Sequence, residues 1–203
     1  MIRHAFTNRF PAIEVTQDKA EALRRLDSVH RDVRTHLALD AVPFQTAEQI
    51  HGNEVAVIDS PVEADQCFTG CDGIVTNQSN LTIGIYVADC CAVYLVDPVH
   101  RAIGLVHSGK KGTELGIVPK AIRTMMDRFD SRPEDCVVQL SPCIRPLHYE
   151  IDFAQEIVRQ CHSLGVLDVH DSGRCTACDL ERYYSYRAEQ GKTGRMLALL
   201  ALR

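Results

Sequence analysis

Three short apolar runs, Leu81–Val87, Ala92–Val96 and Ala102–Val106, follow one another near the middle of the chain and limit what it can fold into. Each is rich in β-branched residues and too short for a core helix, so each is expected to be a buried strand. The first two flank Ala88-Asp89-Cys90-Cys91, and Asp97-Pro98 breaks the second. The third ends at His107 and leads into Ser108-Gly109-Lys110-Lys111-Gly112, which is expected to be a loop. Glu54–Asp59 and Val137–Leu140 are further strand candidates. From about Gln17 to Leu39, Leu23, Leu26, Val29, Val33 and Leu37 recur every three or four residues, the pattern of an amphipathic helix with His30 and Arg31 at the edge of its apolar stripe. A second helix carries Val118, Ile122, Met125 and Phe129. Pro119 belongs in its first turn, because proline lacks an amide hydrogen and crowds the turn before it. Phe153–Leu164 is expected to be a helix, and Met196–Leu202 is a last apolar element. Strands and helices alternate irregularly and nothing repeats. The expectation is one α/β or α+β domain over residues 1–203 with a mixed sheet.

The formal charge is -5 without a basic block, so a nucleic-acid partner is not expected. The apolar stretches break well short of membrane-spanning length, and Met1-Ile2-Arg3-His4 leads into a polar segment rather than an apolar signal core. A cytoplasmic location is expected. Nine cysteines cannot all pair, and in a reducing compartment they read as buried side chains, metal ligands or nucleophiles. Cys67-x3-Cys71 with Cys175-x2-Cys178 is one candidate four-cysteine zinc knuckle.

The stronger candidate is spread over three islands, Gln49-Ile50-His51-Gly52, Ala88-Asp89-Cys90 and Val106-His107-Ser108-Gly109. Two imidazoles and a thiolate leave a fourth tetrahedral position open, which suits catalytic rather than structural zinc. Taken singly, each island has a plainer reading. His51 serves equally to cap a turn, Cys90 to fill a core or, with His107, to act as a thiol nucleophile, and Ser108, Lys110 and Lys111 to form a solvated turn. Cys91 faces away from Cys90 if the strand continues.

In order, these islands with Asp72-Gly73-Ile74-Val75-Thr76, Ser141-Pro142-Cys143-Ile144, Tyr149-Glu150, Cys175-Thr176, Ser185-Tyr186-Arg187 and Thr193-Gly194-Arg195 resemble the YfiH-type laccase-domain family, also called polyphenol-oxidase-like or metal-dependent purine nucleoside phosphorylase. The resemblance implies an α/β/β/α sandwich with mixed sheets, related to cysteine hydrolases of the cytotoxic necrotizing factor type. It implies zinc held by His51, Cys90 and His107, with copper as the other metal named for the family. It further implies phosphorolysis of adenosine, inosine and methylthioadenosine, with adenosine deamination also attributed to the family. Cys90, His107 and Arg31 are then the expected catalytic residues. Arg31, Lys110, Lys111, Ser108 and Asp72 are the expected substrate- and phosphate-binding ones, with Asp72 and Asp89 as orienting carboxylates.

The chain departs from the family pattern at several places. It has no tryptophan, Lys110-Lys111 replaces Trp-Arg, His30 replaces asparagine, and Leu147-His148 replaces a double cysteine. The glycine- and serine-rich segment after Arg9 is missing, and the stretch from Tyr149 to Cys175 is short. Three rival functions follow: a copper-dependent phenol oxidase, a metal-free Cys90–His107 thiol hydrolase or deamidase, and a catalytically silent binding protein. A multicopper site needs many clustered histidines, and the chain contains no His-x-His.

Overall fold

The computed structural model describes residues 1–203. It runs β1 (Ile2–Phe6), α1 (Lys19–His36), β2 (Phe44–Ala47), β3 (Val55–Ile58), β4 (Gln66–Phe68), β5 (Gly73–Thr76), β6 (Thr82–Val87), β7 (Cys91–Asp97) and β8 (Ala102–Ser108). It continues through α2 (Lys110–Glu114), α3 (Ile117–Phe129), β9 (Val137–Leu140), α4 (Phe153–Ser163), β10 (Asp168–Asp171) and β11 (Met196–Leu202). The three central apolar runs are strands, and Pro119 lies in the first turn of α3 as its missing amide hydrogen requires. α1 starts where the Asp18 carboxylate accepts the Glu21 amide at 2.8 Å, a side-chain cap on an otherwise unpaired donor.

The strands form two mixed sheets, one ordered β1-β11-β6-β2-β4 and the other β10-β9-β7-β8-β5-β3. Alternation along β7 explains the layers. Ala92 and Tyr94 pack between the sheets with Ile83 and Ile85 of β6, Ile103 and Leu105 of β8, and Ala198 and Leu200 of β11. Val93 and Leu95 point the other way, into a second core with Ile122 and Met125 of α3 and Ile157 of α4. On the far side α1 covers the five-stranded sheet, with His30 against Tyr86 of β6 and Arg34 over the ring of Phe44 in β2. The result is an α/β/β/α sandwich. Strands buried on both faces read as continuous apolar runs, which is why β6, β7 and β8 were legible. No helix is long and apolar enough to cross a membrane.

The structure departs from the sequence expectations in four ways. Residues 108–112 are not a loop: Ser108 closes β8, and Lys110–Glu114 forms the short helix α2, held by the Thr113 hydroxyl donating to the Gly109 carbonyl at 2.7 Å. β1, β2, β4, β5 and β10 are additional strands, and β1, β4 and β10 lie at or beside sheet edges where polar residues such as His4, Gln66 and Asp168 are tolerated. The four-cysteine knuckle does not form. Cys67 and Cys71 stay with β4, whereas Cys175 pairs its backbone with Cys143 and brackets a short 3-10 turn with Cys178. Finally, His30 is not at the edge of the α1 stripe but inside it, 4% exposed between Phe10 and Tyr86.

Burying His30 has a measurable cost in acid. Burial pulls its imidazole down to about 4 from an ordinary 6.5, with the Arg195 carbonyl working weakly in the opposite direction. Between those two values the unfolded chain binds a proton that the folded chain refuses, so stability is intact above pH 6.5 and falls as pH drops through that window. The loss from this one group reaches about 2 to 3 kcal/mol near pH 4.5. His30→Asn is expected to remove that share of the pH slope. Urea unfolding at pH 7.5 and 4.5 checks it, and equal slopes in both proteins would refute it.

Candidate metal centre

His51, Cys90 and His107 come from three different junctions. His51 follows β2 in a turn with φ of 62°, Cys90 bridges β6 and β7 after Asp89 with φ of 84°, and His107 is the penultimate residue of β8. Their ligand atoms lie within 4.8 Å of one another, and no other group of three or more histidine, cysteine or carboxylate side chains does so. The two imidazole rings meet edge to face at 4.8 Å between centroids.

Asp72 organises this turn. Its carboxylate accepts the backbone amides of Ile50, His51 and Gly52 at 3.2, 2.8 and 2.7 Å. It also accepts Nδ1–H of His107 at 2.9 Å, which leaves Nε2 of His107 as the ligand atom. Asp72 therefore caps the turn and orients an imidazole at once. Burial pushes its carboxyl up, but His107 and these amides outweigh that and hold it below the usual range. Asp89 does different work: it accepts the Thr176 hydroxyl and the Arg187 amide, both at 2.7 Å, and so fixes the turn before Cys90 without touching an imidazole.

Glycine at 109 is what lets Cys90 into the centre. A β-carbon there would lie 2.5 Å from the Cys90 sulfur. Cys91 faces the opposite way, buried against Ser141. Burial pushes the Cys90 thiol up, but the neighbouring His107 and hydrogen bonds from both histidines overcome it and bring it to about 6. Burial likewise pulls His107 down, and the Cys90 thiolate with Asp72 reverses this and raises it to about 9. The pair is thus a thiolate beside an imidazolium, and a cation at the centre would take the place of the imidazolium proton. A thiolate with two imidazoles and no oxygen donor fits a soft or borderline transition metal rather than magnesium or calcium.

The centre opens into a cleft of about 640 Å³. Lys110 and Lys111 line it, with Lys110 3.5 Å from Glu150. Ser108 does not: it is fully buried and shares a 2.8 Å hydrogen bond with Thr113. Arg31 does not either. It is exposed, pairs with Asp27 one helical turn back, and lines a separate groove on the other side of Tyr86. The cleft instead gains Lys19, Gln49, Tyr86 and Glu114, together with Tyr149, Tyr186, Arg187 and Arg195. Arg187 lies over the Tyr149 ring at 4.8 Å and pairs with Glu150 at 3.2 Å. Tyr149, Tyr186, Arg187 and Arg195 all fall in the short motifs of the second half of the chain, the one sequence signal that pointed to them.

Two mixed sheets between helices, with a His-Cys-His cluster where the ends of β2, β6 and β8 meet, define an α/β/β/α sandwich with one candidate metal site. A family model described as multi-copper polyphenol oxidoreductase laccase matches residues 8–162 and 148–203, and the chain belongs to that family. The chain is 32% identical over 181 residues to a purine nucleoside phosphorylase of Corynebacterium glutamicum, covering 76% of this chain and 72% of that one. It is 29% identical over 187 residues to a purine nucleoside phosphorylase of Streptomyces griseus, covering 79% and 75% respectively. Its fold is similar to that of Bacillus licheniformis YfiH, with a TM-score of 0.89 at 22% identity over 100% of this chain and 93% of that one. It is also similar to YlmD from Geobacillus stearothermophilus, with a TM-score of 0.84 at 21% identity over 100% and 92%.

Proposed function

We propose that the protein is a zinc-dependent purine nucleoside phosphorylase that converts adenosine, inosine or methylthioadenosine and phosphate to the free base and the pentose 1-phosphate, with adenosine deamination as a side activity. The observation that carries this reading is the convergence of His51, Cys90 and His107 on a cleft large enough for a nucleoside and lined by both cations and tyrosines. The relatives named purine nucleoside phosphorylase support it.

Zinc held by these three residues would supply Lewis acidity at an open coordination position. The chain's own residues have separate tasks. Asp72 keeps the His107 proton on Nδ1 and so keeps Nε2 a ligand. Tyr149, braced by Arg187, offers an aromatic face to a purine. The basic lining draws phosphate toward the reacting carbon and offsets its charge as positive charge develops on the sugar. One three-ligand group favours a single-metal enzyme over a multicopper oxidase.

A second reading has its own support: the Cys90 thiolate beside a protonated His107 is the ground state of a thiol hydrolase. One experiment separates them. Zinc-loaded protein is incubated with inosine and with adenosine, each with and without phosphate, and again in chelator. Phosphate-dependent base release that stops in chelator and returns with zinc is the expected result, and ammonia release from adenosine would report the side activity. Full activity in chelator would favour the thiol enzyme. No turnover of any nucleoside with zinc bound would sink the proposal.

A further inference from the structure

Most arginines near the cleft and in the surrounding shell answer to a carboxylate: Arg187 to Glu150, Arg9 to Glu189 and Arg145 to Asp171. Arg195 does not. Its guanidinium has no carboxylate partner, donates to the Gly194 carbonyl at 2.7 Å, and lies over the Tyr186 ring at 5.9 Å, with most of its fork of donors uncommitted. Lys19 at the start of α1 is in the same condition. It donates to the Glu48 carbonyl at 2.9 Å and has no acidic partner.

The fold forces these two cations together. The Thr193 amide donates to the Thr16 carbonyl at 3.1 Å in an antiparallel bridge, so the approach to β11 runs beside the approach to α1. Thr193 is further tied to Glu189 at 2.6 Å, and Gly194 packs so tightly on the Tyr184 ring that a β-carbon would lie 2.5 Å from it. Arg195 therefore leaves a fixed backbone. Both side chains line the metal cleft: burial and then Arg195 pull the Lys19 ammonium down, and burial pulls Arg195 down against the opposing pull of Tyr186, Cys90 and Asp89. Two like charges lining one cleft, neither of them in an ion pair, favour a ligand that brings negative charge.

We infer that Arg195 and Lys19 form an oxyanion pocket at the α1–β11 end of the cleft and that its ligand is inorganic phosphate. A guanidinium fork grips two oxygens of a tetrahedral anion while the ammonium acts as a mobile point charge beside it. Lys110 and Arg187, which share the Glu150 carboxylate at 3.5 and 3.2 Å, are poorer partners. This assignment rests on the phosphorylase reading for its choice of phosphate, but its test needs no turnover.

Isothermal titration of the zinc-loaded protein with inorganic phosphate is the measurement. Arg195→Gln is expected to weaken binding at least about thirtyfold, Lys19→Gln about fivefold, and Arg195→Lys less than Arg195→Gln. Thermal unfolding and zinc content establish that each variant is folded and loaded. If Arg195→Gln does not fold, Lys19→Gln and Arg195→Lys carry the test. Undiminished phosphate binding in the folded Arg195 and Lys19 variants would overturn the pocket, as would a loss confined to Arg31→Gln. A parallel titration with adenosine monophosphate separates the two sources of a phosphate group. Nucleotide binding that needs Arg195 in a protein that ignores inorganic phosphate would place a substrate phosphate there and overturn the assignment to the free ion. Phosphate binding that needs Arg195 in a protein that cleaves no nucleoside would leave the pocket standing and refute phosphorolysis instead.

Discussion

Cys90→Ala is expected to empty the centre of metal and to lower nucleoside turnover at least about a thousandfold. Cys90 is the one anionic ligand of the three, so its loss leaves two neutral imidazoles, one of them on an exposed turn. Disturbing even a residue that only orients a ligand commonly costs ten- to a hundredfold in metal affinity or activity, and removing a ligand costs more. Metal analysis of the purified variant, alongside kcat/KM with saturating zinc, makes the check. Cys178→Ser, on the exposed turn after Cys175, is the matched control and is expected to keep both metal and turnover. Zinc retained at full stoichiometry by Cys90→Ala would remove Cys90 from the ligand set.

The second large effect concerns a residue with no side chain. Gly109→Ala would place a β-carbon 2.5 Å from the Cys90 sulfur, well inside van der Waals contact. Either the sulfur or the start of α2 must retreat by roughly 1 Å, and a misplacement of that size at a reacting centre costs on the order of a hundredfold. The expected outcome is a folded protein, unchanged by far-ultraviolet circular dichroism, with zinc affinity and kcat both reduced by about that factor. Wild-type zinc affinity in Gly109→Ala would mean that Cys90 has room to move and that the glycine is incidental.

The candidate metal ligands were legible in the chain because each sits where a strand pattern or a turn gives way to small residues. Nothing local distinguishes them from core or capping residues; only their order with the flanking motifs does. Asp72 was legible as an orienting carboxylate, and the same group also caps the turn at His51; it is fully buried and does not line the cleft where a substrate-binding role would place it. The cations were harder. The resemblance of His30-Arg31 to the family's Asn-Arg pair points to Arg31, yet neighbours on a helix point about 100° apart. His30 takes the inward direction, so Arg31 turns to solvent and meets Asp27. Ser108 continues the β8 pattern into the interior, where Thr113 of α2 claims its hydroxyl. Lys19 and Arg195 lie at opposite ends of the chain. Their proximity depends on the bridge between Thr16 and Thr193, which no periodicity announces.

The place of β11 has a consequence for how the protein comes into being. This strand comes last in the sequence yet lies inside the five-stranded sheet, zipped on one side to β1 and on the other to β6. During synthesis β1 therefore waits, unpartnered, until β11 has left the ribosome. The six-stranded sheet depends less on the end of the sequence, because β3, β5, β7, β8 and β9 all precede α4 and emerge together with the three candidate ligands. Such non-local closure is slow and leaves apolar edges uncovered in the interval. The candidate ligands thus emerge before β11, although the turn that holds Cys90 still awaits Thr176 and Arg187.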